Sequence, residues 1–337
     1  MSRRGSGLLL SALLLAAAEA AVLHGTGPRP AAAQETAPGL EVADRALLQA
    51  AAEGDGELAR FALERGADPE VRDPSGDGAL HIAARRGSRE VAVILLEAGA
   101  AIEARDLVNG NTPLIHAAFG PRSLSVLAEL LARGATLEAK AEKDGLTALM
   151  IAARHGNRGA VELLLSAGAN PNARDNEGHR ALHLAAMAGA TDVLRRLAAA
   201  GAEVDARNGR GETALGEAAA AGHVDTVLAL LEAGADPNPP GQDALPPLHR
   251  AAMAGRPGVA LALLAQGAAP NAVDPETGNT ALMLAANRGF LDIVRLLLAH
   301  GAKVDMVAKD GWTALQAAEM IGDEETAALL RAAGARE

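Results

Sequence analysis

The chain has 337 residues and a net charge of −11; 49% of it is hydrophobic, yet aromatics make up only 1% and Tyr is absent. Without Cys there can be no disulfide, thiolate metal site, thiol catalysis or lipid attachment through an N-terminal Cys. The acidic balance disfavours nucleic acid and anionic membrane, whose phosphates are drawn to clustered Lys and Arg.

Residues 1–33 read as a secretory signal peptide. Arg3 and Arg4 supply the positive start, Leu8 to Ala18 an apolar core, and Ala31-Ala32-Ala33 a small-residue cleavage site, so the mature chain is expected to begin at Gln34. The competing reading is a retained anchor. It is disfavoured because Glu19 interrupts the run and Gly25 to Pro30 breaks the stretch beyond it, which leaves it short for a membrane span. Residues 34–40, with Pro38 and Gly39, read as a flexible linker. Only four of the 31 basic residues are Lys (Lys140, Lys143, Lys303, Lys309). With the abundant Ala and Gly, this suggests a GC-rich bacterial genome and hence a periplasmic or secreted protein.

From residue 41 onward one pattern recurs to the end. A Gly-Ala pair closes each period, with its Gly at 66, 99, 134, 168, 201, 234, 267, 301 and 334. An Ala-Leu or Pro-Leu pair opens it, with its Leu at 47, 80, 114, 149, 182, 215, 248, 282 and 315. Each period of 33 to 35 residues holds two short helices. In the first, residues such as Leu149, Ala152 and Ala153 fall at i, i+3 and i+4 and share a face, and the small Ala side chains allow close approach. The second carries a Leu cluster such as Leu163 to Leu165 and stops at a Gly suited to a left-handed helix end. Asp-x-x-Gly segments such as Asp175 to Gly178 suit tight turns between periods.

Asn111-Thr112-Pro113-Leu114, Gly211-Glu212-Thr213-Ala214-Leu215, Gly311-Trp312-Thr313-Ala314-Leu315, Ala79-Leu80-His81, Ala181-Leu182-His183 and Pro247-Leu248-His249 resemble the ankyrin repeat. The resemblance implies a mainly α solenoid of nine helix-turn-helix units with β-hairpin-like finger loops over residues 41–337. Its first and last units would act as polar caps, because no single unit can bury its own apolar face. Several positions depart from the pattern. The turns before Thr112, Thr147 and Thr280 are each one residue longer than usual. Pro121 stands where the pattern has Gly, with an extra residue before Gly134. Arg196 replaces a usual Leu, and prolines crowd 237–247, so a regular hairpin is not expected there.

His81, His183 and His249 share one repeat position. Stacked units lie roughly 10 Å apart, by analogy with packed helices, too far for these three to hold one ion. The resemblance implies instead that this His bonds neighbouring backbone. His116, His155, His179, His223 and His300 fall at scattered positions. No phosphate loop, nucleophile elbow or H-E-x-x-H motif occurs, and the recurrent Asp residues sit at turn or cap positions. The expectation is therefore no enzyme, no cofactor and no metal.

What remains is surface. The resemblance implies partner contacts at the loop tips (Asp77, Asn111, Leu146, His179, Glu212, Leu245, Asn279, Trp312). It also implies them just after the paired Ala of the first helix: Arg85, Arg86, Phe119, Arg154, His155, Met187, Met253, Asn287, Arg288, Met320 and Ile321. The function expected is a monomeric, non-enzymatic scaffold that binds another protein through its concave face and finger loops, with no nucleic acid and no membrane beyond the export signal. The alternative is a secreted effector or inhibitor acting on a foreign protein.

Overall fold

The computed structural model describes residues 38–239 and 245–336. The expected signal peptide, residues 1–33, and its cleavage point at Gln34 lie outside the described residues, as does part of the proline-rich segment. The chain divides between Lys143 and Asp144 into two compact units.

The first unit holds α1 (Pro38–Glu53), α2 (Gly56–Glu64), α3 (Ala79–Arg86), α4 (Arg89–Glu97), α5 (Pro113–Ala118) and α6 (Leu124–Ala132). The second unit begins with α7 (Ala148–Arg154), α8 (Arg158–Ser166), α9 (Ala181–Ala188), α10 (Thr191–Ala199), α11 (Ala214–Ala221) and α12 (Val224–Glu232). It continues with α13 (Pro247–Met253), α14 (Pro257–Ala265), α15 (Ala281–Asn287), α16 (Leu291–Ala299), α17 (Ala314–Met320) and α18 (Glu324–Ala332). Within each unit odd-numbered helices pack on odd and even on even, so that two helical layers form, and each odd helix also packs on the next even helix. No strand occurs among the described residues; only the isolated bridges Arg72–Gly78, Arg207–Thr213 and Val273–Thr280 do. The helix α1 begins at Pro38, so the last three residues of the expected 34–40 linker are helical. Proline fits the first turn of a helix, where its missing N–H costs nothing.

The local chemistry explains the elements. Thr112, Thr147, Thr213, Thr280 and Thr313 each cap an odd helix by accepting the backbone N–H three residues on, at 3.2 to 3.4 Å. The landmark Leu and paired Ala behind them are buried, as at Leu149, Ala152 and Ala153. Even helices end at the Gly-Ala pair. Gly99 has φ +94°, and a Cβ there would meet nothing within 4 Å, so the glycine is needed for conformation and not for space. Gly178 needs both: φ is +79°, and a Cβ would lie 2.6 Å from the Gly209 backbone N. That close approach brings successive loops together, with Gly209 N–H bonded to Glu177 O at 2.7 Å.

The repeat-position histidines do the same across the loops. His81 Nε2 donates to Ala104 O (2.9 Å) and Asn111 O (3.1 Å), His183 Nε2 to Glu212 O (3.1 Å), and His249 Nε2 to Asn279 O (3.0 Å). The irregular segment around Pro121 becomes a 3-10 turn, Pro121–Ser123. It lies so close to Gly87 that a Cβ there would strike the Arg122 carbonyl oxygen. Arg196 is exposed, so its departure from Leu faces water.

Candidate functional site

The odd helices bury the Leu-Ala-Ala face and expose the residues just past the second Ala. Arg85 and Arg86 in the first unit are exposed, as are Arg154, His155, Met187, Met253, Asn287, Arg288, Trp312, Met320 and Ile321 in the second. Met187 is 45% exposed, Trp312 42% and Met320 59%, high values for side chains of this kind. Phe119 is only half-buried, tilted against the His116 ring at 6.0 Å. Asn287 and Trp312 meet, with Asn279, Met283 and Met320, around one hollow of about 270 Å³. Arg154 and His155 adjoin at the end of α7, while Met187 lies on α9 and Met253 on α13.

The loop-tip expectation needs correction. Asp77, Asn111, Leu146 and Glu212 are buried, while His179, Leu245 and Asn279 are intermediate and only Trp312 is exposed. The cause is local. The backbone N–H of Asp77 bonds to the carboxylate of Asp73, that of Asn111 to Asp106, that of His179 to Asp175 and that of Glu212 to the Asn208 amide oxygen. Each loop thereby curls onto its own first residue and turns the tip side chain inward.

Two buried polar clusters result, and neither was expected. In the first unit His116 Nε2 donates to Asp106 Oδ2 at 2.9 Å and lies 3.8 Å from Asp77 Oδ1, while Arg85 Nη1 is 2.6 Å from Asp77 Oδ2. The His81 ring meets His116 edge-on at 5.1 Å. Burial works to raise the Asp106 carboxyl. Hydrogen bonds from the Asn109 N–H, from His116 and from the Val108 N–H outweigh it and hold the group well below the usual carboxylate range. Asp77, Asp106 and His116 each offer a donor atom, all within 4.8 Å of one another, and these are the residues that could hold a cation. Arg85 already sits on Asp77, and the carboxylate of Asp106 is taken up by four backbone N–H groups and His116. Both carboxylates are thus already satisfied by donors from the chain itself.

In the second unit the Arg250 guanidinium bridges Glu212 and Glu217, and Asn208 Nδ2 donates to Glu217 at 3.3 Å. Burial, the largest influence, raises the Glu212 carboxyl; the Arg250 charge opposes it and Glu217 adds to it. A signal for both clusters was present in the sequence. Two residues after the landmark Leu, the apolar Ile82, Ile151, Leu184 and Leu284 become His116, Glu217 and Arg250 in other periods. A third departure is Arg180, which occupies the capping position that Thr fills before α5, α7, α11, α15 and α17. Its side chain makes no cap bond. Arg180 Nη1 instead reaches Glu203 Oε2 at 2.5 Å.

Among the described residues, no helix is long and apolar enough to cross a membrane. What the exposed set can do chemically is present Arg, Met and Trp groups at the ends of packed helices and in the loop before α17. A family model described as "Ankyrin repeats (3 copies)" matches residues 47–141, 108–175, 122–208, 149–241 and 248–336. An ankyrin repeat-containing protein of Treponema pallidum (strain Nichols) is 41% identical over 63 residues, which is 19% of this chain and 21% of that protein. The matched stretch thus spans about a fifth of the relative's length.

Proposed function

The chain belongs to the ankyrin repeat family, and from that premise we propose that it is a bacterial, exported scaffold of nine repeats that binds another protein. Ankyrin repeats are protein–protein interaction modules, and the relative in Treponema supports a bacterial source. The reading has the partner engaged by the exposed ends of the first helices and the loops beside them, on a concave face. One observation carries it: Met187, Met253 and Met320 stand 36% to 59% exposed on helices whose opposite sides are buried, and Trp312 stands 42% exposed in the loop just before α17. Exposed Met and Trp are residue types enriched at interfaces, and a preordered surface loses little entropy on binding.

The test is a photo-crosslinking residue at position 253 in intact cells, with the captured protein identified. Capture of one predominant protein is expected, lost in a Met187→Asp, Trp312→Ala variant whose helicity is unchanged. No capture, or equal capture by that variant, would refute the reading. Export is checked by the N-terminal residue of the protein recovered from periplasmic extract, expected to be Gln34.

A further inference from the structure

One groove in the second unit is unlike the rest. It encloses about 660 Å³ and is lined by Arg174, Arg180, Arg207 and Arg210, with Glu203 and Asn208. Four guanidiniums against one carboxylate stand out in a chain whose net charge is −11. Arg210 pairs with Glu177 at 3.2 Å, but both remain well exposed.

Arg180 is the telling residue. It is 95% buried, so its charge has been taken out of bulk water. Of its guanidinium, only Nη1 is bonded, to Glu203 Oε2 at 2.5 Å and Asn172 Oδ1 at 3.4 Å. Its Nε is buried with no partner. A guanidinium offers five N–H donors in a planar fork matched to a carboxylate, and a buried one left partly unpaired is costly unless something else completes it. The chain accepts this at a position where Thr would have capped the helix. Departures from a local rule gather at functional places, and here the ion pair with Glu203 completes only part of the fork. Glu203 shows what the fork prefers: a carboxylate already lies against it, itself 62% exposed and so displaceable.

We propose that this arginine groove binds a carboxylate of the partner, presented on an acidic peptide segment. The proposal rests on the reading of the chain as a protein-binding scaffold. The groove is open, which suits a side chain offered by a partner. Because the chain is acidic overall, with a net charge of −11, its general field opposes such a segment while this groove accepts it, which gives register as well as affinity.

The experiment uses the full chain and fluorescence anisotropy with a labelled peptide of alternating Glu and Gly, its Gln counterpart, and inorganic phosphate as competitor. The Glu peptide is expected to bind at least about tenfold tighter than the Gln peptide. Arg180→Thr, which restores the cap and so cannot be dismissed as a folding defect, is expected to abolish that preference. Glu203→Gln is expected to strengthen binding by removing the resident competitor. Equal binding of the two peptides, or an unchanged preference in Arg180→Thr, overturns the proposal. So does binding of phosphate that depends on Arg180 while the peptides do not bind, since the site would then serve a free anion. In-cell capture at position 253 separates the two claims: capture that survives Arg180→Thr sinks the groove and spares the scaffold.

Discussion

Replacing Arg250 with Leu separates charge from shape. The equivalent positions in other periods hold Leu184 and Leu284, so the α13 site can take Leu without a void. What is lost is the cation between Glu212 and Glu217, whose side chains are only 12% and 14% exposed. Breaking a buried ion pair by removing one partner costs about 3–5 kcal/mol. The remaining exposure and the packing gained by Leu bring the expectation for Arg250→Leu to about 2–3 kcal/mol. A repeat array need not unfold in one step, so the measurement should be local: hydrogen exchange of the α11 and α13 amides. These should exchange about thirty- to a hundredfold faster, since about 1.4 kcal/mol is a factor of ten. A second substitution, Glu217→Leu, should recover most of the loss, because Leu also fits there and no like charge is left facing Glu212. The defect should also shrink in acid. Burial raises the Glu212 carboxyl above its unfolded value, so the folded state takes up its proton first, and stability rises as pH falls through that range. Unchanged exchange in Arg250→Leu at neutral pH, or a defect that grows in acid, would refute the reasoning.

The core and backbone make further predictions. Leu164 is fully buried in α8, so Leu164→Ala should cost about 3–5 kcal/mol, read from hydrogen exchange of the α8 amides. Gly99→Ala should cost about 1 kcal/mol, the penalty of a positive φ alone, whereas Gly178→Ala should cost more because its Cβ also strikes the Gly209 backbone. Equal effects would show that the contact between successive loops is unimportant. Burial pushes His183 down to about 4. The folded state therefore holds it neutral, with its contribution complete above pH 6.5 and lost as pH falls from there toward 4. Melting temperature against pH should drop across that window, and His183→Gln should flatten the drop.

The alternation of Leu-Ala-Ala with Gly-Ala was enough to place the helices, their caps and their buried faces. The reason is that in a stacked array each residue's surroundings repeat, so position in the period stands in for position in space. The same logic exposed Arg85, Met187 and Met253, since a side chain one step past a buried stripe must face out. It failed at the loop tips other than Trp312. Whether Asp77 or Glu212 points in or out depends on hydrogen bonds to Asp73 or Asn208 and on the neighbour it meets across the loop.

The amino-acid order by itself determined the period, the helix pairs and the turn chemistry, because all three rest on interactions spanning a few residues. Only the folded chain decided which charges meet. His116 joins Asp77, and Arg250 joins Glu212 and Glu217, across roughly one period of sequence, a separation at which spacing says nothing about distance until stacking brings successive loops side by side.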